Sequence, residues 1–167
     1  MKRLVLLRHA KAVAKDGVRD FDRVLAQQGR EEMTAVASHL ASMPCDTALV
    51  SSAARTRETW KLAHKPDVPT TFERSIYEAD EPELLAAARG ADPAAETAIM
   101  VGHNPGFEEL ALSLTQAGED GPAADRLQAG FPTAGVAVIE FDIGSWRELA
   151  RGTGRLVSFE TPASLGS

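Results

Sequence analysis

The chain has 167 residues, enough for one ordinary domain with a real core and too few for a catalytic domain plus a sizeable second one. Apolar residues at 44% and charged residues at 25% exclude disorder and a membrane class. A formal net charge of -6 argues against nucleic acid as a partner, because phosphate backbones are held by clustered Lys and Arg; any anion site must be local.

The first element, residues 3–8 in "RLVLLRHAKA", is a short continuous apolar run, the pattern of a strand covered on both faces. With only four apolar residues before Arg8, it is too short for a signal peptide or a membrane span, and a cytoplasmic protein without membrane contact is expected. "GREEMTAVASHLASM" repeats Met33, Val36, Ala37, Leu40 and Met43 at helical spacing and stops at Pro44. Cys45 follows, the single cysteine, with no ligand spacing around it, so an inert thiol in a reducing interior is expected. "DTALVSS" reads as a second strand, and "ARTRETWKLAHK" as a helix with Ser52 as its N-cap.

Residues 66–79 read as irregular. "EPELLAAARG" then has Pro82 near a helix start and Gly90 at its stop. "ETAIMVGH" is a third buried strand, and "NPGFEELALSLTQ" a helix with Asn104 as cap and Pro105 at its first position. Residues 117–134, rich in Gly, Ala, Pro and Asp, read as a long loop. "GVAVIEFD" and "RLVSFE" close the chain as two strands joined by a turn through Gly144 and Trp146. The rhythm predicts an α/β three-layer sandwich: a mostly parallel central sheet, helices on both faces, and an antiparallel edge near the C-terminus. Residues 1–160 are expected to form a single domain, with 161–167 a frayed tail.

Three of these strands end on residues that resist burial: Arg8 and His9, then Arg55 within "SSAAR", then His103 after Gly102. Ligands of open α/β sheets bind outside the carboxyl ends of the strands, so these groups are expected to share one cleft. Two arginines and two histidines beside helix N-termini make a pocket for an anion such as phosphate. His39 and His64 fall within helical segments and are expected to be surface or half-buried residues. The acidic residues Asp20, Asp22, Glu78, Asp80 and Glu81 read mostly as a solvated set from which one proton donor is available. Nucleotide-loop, dinucleotide and zinc-protease motifs are missing, and no metal or cofactor is expected.

The segments "RHAKA", "SSAARTRETW", "SIYEA" and "VGHNPG", in this order over about residues 3–143, make the chain resemble the histidine phosphatase superfamily, and within it the short phosphohistidine phosphatases of the SixA type. That resemblance implies roles. His9 becomes phosphorylated, while Arg8, Arg55 and His103 hold the phosphoryl oxygens. Arg23 is an additional arginine near the phosphate, with an ion pair to Asp20 or Asp22 as the alternative. Glu78 lies where many relatives carry a general acid, and Asn104 adjoins the phosphate at the third strand's end. Ala10, Lys11 and Ala53 depart from residues common in the family. The implied activity is hydrolysis of phosphohistidine on a partner of the histidine phosphotransfer type. A phosphomonoesterase acting on small phosphorylated metabolites and a non-catalytic phosphate-binding module are the alternatives.

Overall fold

The computed structural model describes residues 1–166. Strand β1, Lys2–Arg8, is covered on both faces: Leu4 and Leu6 enter one core cluster, Val5 and Leu7 the other. A strand wanted by two cores has no polar face, which is why its sequence is a run and not an alternation. It joins β2 (Thr47–Ser51), β3 (Thr70–Glu73), β4 (Thr97–Gly102), β5 (Val136–Phe141) and β6 (Arg155–Glu160) in one sheet of order β3-β2-β4-β1-β5-β6. β4 runs parallel to both β1 and β2, and β3 parallel to β2, whereas β5 and β6 add the expected antiparallel edge.

On one face lie α1 (Gln27–Ala41) and α2 (Ala54–Leu62), which pack Met33, Val36, Leu40 and Trp60 over Val5 and Leu7. The other face carries α3 (Glu81–Arg89), α4 (Gly106–Leu114) and α5 (Pro122–Ala129), with Leu84, Leu85, Phe107, Leu110 and Leu127 against Leu4 and Leu6. Burying each of the larger of these side chains contributes about 1.5–3 kcal/mol, so the sheet is held from both sides. In α3 the punctuation acts as read: Asp80 and Glu83 form a reciprocal cap, Pro82 sits in the first turn and Gly90 closes the helix. No helix among the described residues is long and apolar enough to cross a membrane.

Several expectations are corrected. The stretch 66–79 contains β3, a four-residue edge strand with Phe72 exposed, too short and too wet to leave an apolar run. The 117–134 loop contains α5, whose buried positions, Ala124 and Leu127, are few and whose flanks, Gly121 and Gly130, carry positive φ. Ser52 is not a cap: α2 follows Ala53, and the hydroxyl that accepts the Ala53 N–H is that of Ser51. Pro105 precedes α4, and His64 lies past the end of α2, in a left-handed turn. The expected fray at 161–166 is a turn in which Thr161 and Ser164 exchange hydrogen bonds and Pro162 is buried; Ser167 lies outside the described residues.

Candidate active site

Because β4 lies between β2 and β1, the carboxyl ends of all three adjoin. β1 delivers Arg8 and then His9, α2 carries Arg55 in its first turn, and His103 follows β4 directly. His9, Arg55 and His103 are each more than nine-tenths buried. Two glycines permit the close approach. A side chain at Gly102 would lie 2.5 Å from the Phe107 ring, and one at Gly106 would lie 2.4 Å from the Ala79 carbonyl. The turn carrying Tyr77 therefore packs down on His103, and their rings meet edge to face at 5.5 Å. The β1 end is clamped from the antiparallel side, where the Ala134 N–H is shared by the carbonyls of Arg8 and His9.

The two histidine rings lie 5.3 Å apart. Nδ1 of His9 is 2.7 Å from the Ala10 carbonyl, which only accepts, so that nitrogen carries the ring proton and Nε2 keeps its lone pair. Burial, reinforced by the positive charges of Arg55, Arg8 and Arg23 and partly offset by the Ala10 bond, pushes the His9 pKa down to about 4. His103 is pushed down to about 3, by burial first and then by His9 and Arg55. Both rings are neutral at pH 7.

A carboxylate holds the cations. Arg55 donates to Oδ2 of Asp20 at 3.0 Å and to its backbone carbonyl at 2.8 Å, and Arg23 donates from Nε to Oδ1 at 2.9 Å. The Tyr77 hydroxyl donates to the same carboxylate at 2.5 Å. Burial opposes ionisation of Asp20, but these hydrogen bonds outweigh it and hold the carboxyl well below its usual range. Tyr77 is pushed up to about 12 by burial and by its bonds to Asp20 and Glu78. The ion-pair alternative for Arg23 is thus realised without removing it from the site, since Asp20 is also the partner of Arg55. Asp20 is therefore not one of a solvated set of acids, and its spacing of three residues before Arg23 in "DFDRVL" is the signal the sequence offers. Tyr77 and Ser51 fall within "SIYEA" and "SSAARTRETW", but neither charge nor spacing there assigns them a part.

Other candidates stand apart. Asn104 spends its amide on scaffolding, with Nδ2 donating to the Phe131 carbonyl and Oδ1 accepting from the Glu108 N–H. The same Phe131 carbonyl receives Nη1 of Arg8 at 2.8 Å, so Asn104 helps to position the loop that positions Arg8. Glu78 is exposed, in left-handed backbone at the rim beside Tyr77. Among the described residues the Cys45 thiol bonds the Met43 carbonyl alone, and burial raises its pKa.

Five buried side-chain nitrogen or oxygen atoms lack a partner among the described residues, and three of them are here: Nε of Arg8, Nε of Arg55 and Nδ1 of His103. Buried polar atoms are ordinarily paired, so this concentration marks a place built for an acceptor-rich ligand. Guanidiniums converging on a neutral imidazole at the carboxyl edge of an α/β sheet define the class: a protein that handles phosphoryl groups.

Comparison with known proteins narrows the class. Residues 4–84 match the model of the histidine phosphatase superfamily, branch 1. An uncharacterised protein of Mycobacterium tuberculosis is 34% identical over 160 residues, covering 93% of this chain and 99% of its own. Among solved structures, one designated a putative phosphohistidine phosphatase SixA, from Agrobacterium tumefaciens, is 33% identical with a TM-score of 0.76, covering 96% of this chain and 99% of that one. Another so designated, from Nakamurella multipartitia, is 29% identical with a TM-score of 0.85 and covers 96% of both chains. The chain belongs to the histidine phosphatase superfamily.

Proposed function

We propose that the chain removes phosphoryl groups from histidine on a protein partner through a covalent intermediate on His9. The observation that carries this reading is the free Nε2 of His9, a neutral nitrogen beside Arg8 and Arg55, whose buried Nε groups have no partner among the described residues. Its lone pair attacks phosphorus in line as the bond from phosphorus to the substrate imidazole breaks, and that imidazole, already protonated by solvent on its other nitrogen, leaves as a neutral ring. Arg8, Arg55, Arg23 and His103 stabilise charge on the equatorial oxygens. Water then attacks the phosphorus on His9, releasing inorganic phosphate and restoring the ring.

Two features favour a protein substrate over a small ester. Three connections at the carboxyl edge are short, residues 52–53 after β2, 103–105 after β4 and 74–80 after β3, and the long one after β1, residues 9–26, is spent on the site itself, bringing Asp20 and Arg23 to Arg55. Without an inserted cap, little is available to grip the rest of a small metabolite, while a histidine displayed on another surface can reach in. The two structures designated SixA are also more similar to the chain, at 29% and 33% identity with TM-scores of 0.85 and 0.76, than one described as a putative alpha-ribazole-5'-P phosphatase from Escherichia coli, at 15% and 0.66.

The test compares kcat/KM on a histidine-phosphorylated phosphotransfer domain with that on a panel of sugar phosphates and aryl phosphates. Preference for the protein is expected. A small ester turned over faster than the protein would replace this reading with a metabolite phosphatase, and failure to form any phosphoenzyme would leave a binding module.

A further inference from the structure

Ser51, the last residue of β2, has no exposed surface, and its hydroxyl lies 2.7 Å from Nε2 of His103. The only other hydrogen-bond neighbour of that oxygen among the described residues is the Ala53 N–H, at 3.4 Å, which can only donate. A buried hydroxyl must still place its own proton. If Nε2 of His103 carried the ring proton, Ser51 Oγ would accept twice and its proton would have no acceptor. The pairing closes only when the hydroxyl donates to a bare Nε2, which puts the imidazole proton on Nδ1. That nitrogen is the buried one with no protein partner.

We propose that Ser51 is a positioning residue that fixes the tautomer of His103, so that a neutral ring presents Nδ1–H to a phosphoryl oxygen. The geometry makes this device rigid. Thr56, in the first turn of α2, donates to the Ser51 carbonyl at 2.7 Å and holds the strand end in place. A neutral donor suits this cleft, where a charged imidazolium would face the guanidiniums of Arg8 and Arg55 and the ring of His9, with Asp20 as the nearby carboxylate and Tyr77 stacked at its edge. Depression of the His103 pKa to about 3 agrees with a ring that works uncharged.

This inference rests on the phosphatase reading for its purpose but not for its first test. In the parent protein with 15N-labelled histidine at neutral pH, His103 is expected to show a protonated Nδ1 and an unprotonated Nε2. Inorganic phosphate should shift the Nδ1–H resonance, because an oxygen then accepts it. A ring proton on Nε2 in the parent would overturn the proposal, whatever the substrate proves to be. In Ser51→Ala the tautomers should mix and kcat on aryl phosphate should fall by about 100-fold, the scale of losing one preorganised donor, with KM little changed. Ser51→Thr, which keeps the hydroxyl, should recover both signals. A Ser51→Ala protein with the parent tautomer and parent kcat would refute the role. Loss of activity with an unchanged tautomer would likewise refute it, by showing Ser51 to be merely structural.

Discussion

His9 and His103 stand at the ends of adjacent strands, equally buried at 8% exposure, and both are kept neutral by their surroundings. What separates them is one neighbouring atom. The partner of His9 is a carbonyl, which can only accept, so that ring shows the cleft a lone pair. The partner of His103 is a hydroxyl, which can donate, and that ring is left with an N–H to offer. Burial and electrostatic field are shared by the two sites, so in the proposed reaction it is hydrogen-bond polarity that makes one ring the attacking group and the other a donor.

The sharpest way to break the comparison is to remove each ring. After brief exposure to a phosphohistidine protein carrying a radioactive phosphoryl group, His9→Ala should hold no acid-labile label at all. His103→Ala should still become labelled, more slowly by roughly 100- to 1,000-fold, as for loss of a preorganised donor. Full labelling of His9→Ala would assign the nucleophile elsewhere.

Glu78 tests whether proton delivery belongs to either ring or to the rim. An imidazole leaving group has a conjugate acid of pKa about 6.5, whereas an alkoxide needs a proton in the transition state. Glu78→Gln should therefore slow phosphate esters by roughly 100-fold and phosphohistidine much less. Equal losses on both substrates would give Glu78 a structural part.

A smaller effect reads both rings through stability. Their folded pKa values, about 4 and about 3, lie below the ordinary 6.5 of the unfolded chain. The stabilisation is complete above pH 6.5 and is lost as pH falls from there toward 4, because the unfolded state binds protons that the buried rings refuse. The thermal midpoint should drop across that window, and with a shallower slope in a His9→Asn, His103→Asn double variant. An unchanged slope would show that the rings titrate alike in both states. The smallest expected effect is none: exhaustive chelation should leave the rate intact, since arginines do the neutralising that a metal would otherwise do. Loss restored only by Mg²⁺ or Zn²⁺ would overturn that expectation.

The chemistry at the strand ends was legible because it contradicts its context. Arg8 and His9 close an apolar run, His103 closes another, and a charged group after a buried strand has few uses other than a cleft. Asp20, Tyr77 and Ser51 left no such contrast. Each is an ordinary polar residue in a loop or at a strand end, and each acquires its part only when β1, β2 and β4 are laid side by side. β3 and α5 were hidden for a local reason: one is four residues at a wet edge, and the other buries so little that its Gly, Pro and Ala composition reads as loop. The scaffolding part of Asn104 was equally hidden, because a polar residue at a strand end gives no sign in sequence that both ends of its amide hold distant backbone.

Arg8, Arg23 and Arg55 crowd two uncharged rings, and Asp20 is the one carboxylate bonded among them. Such a centre works against the fold that contains it: like charges repel, and donors are kept from water before any ligand arrives. Selection for hardiness alone would act on these positions first, replacing guanidiniums with apolar side chains. The survivors of a thermal screen would then be enriched in well-folded proteins that do nothing.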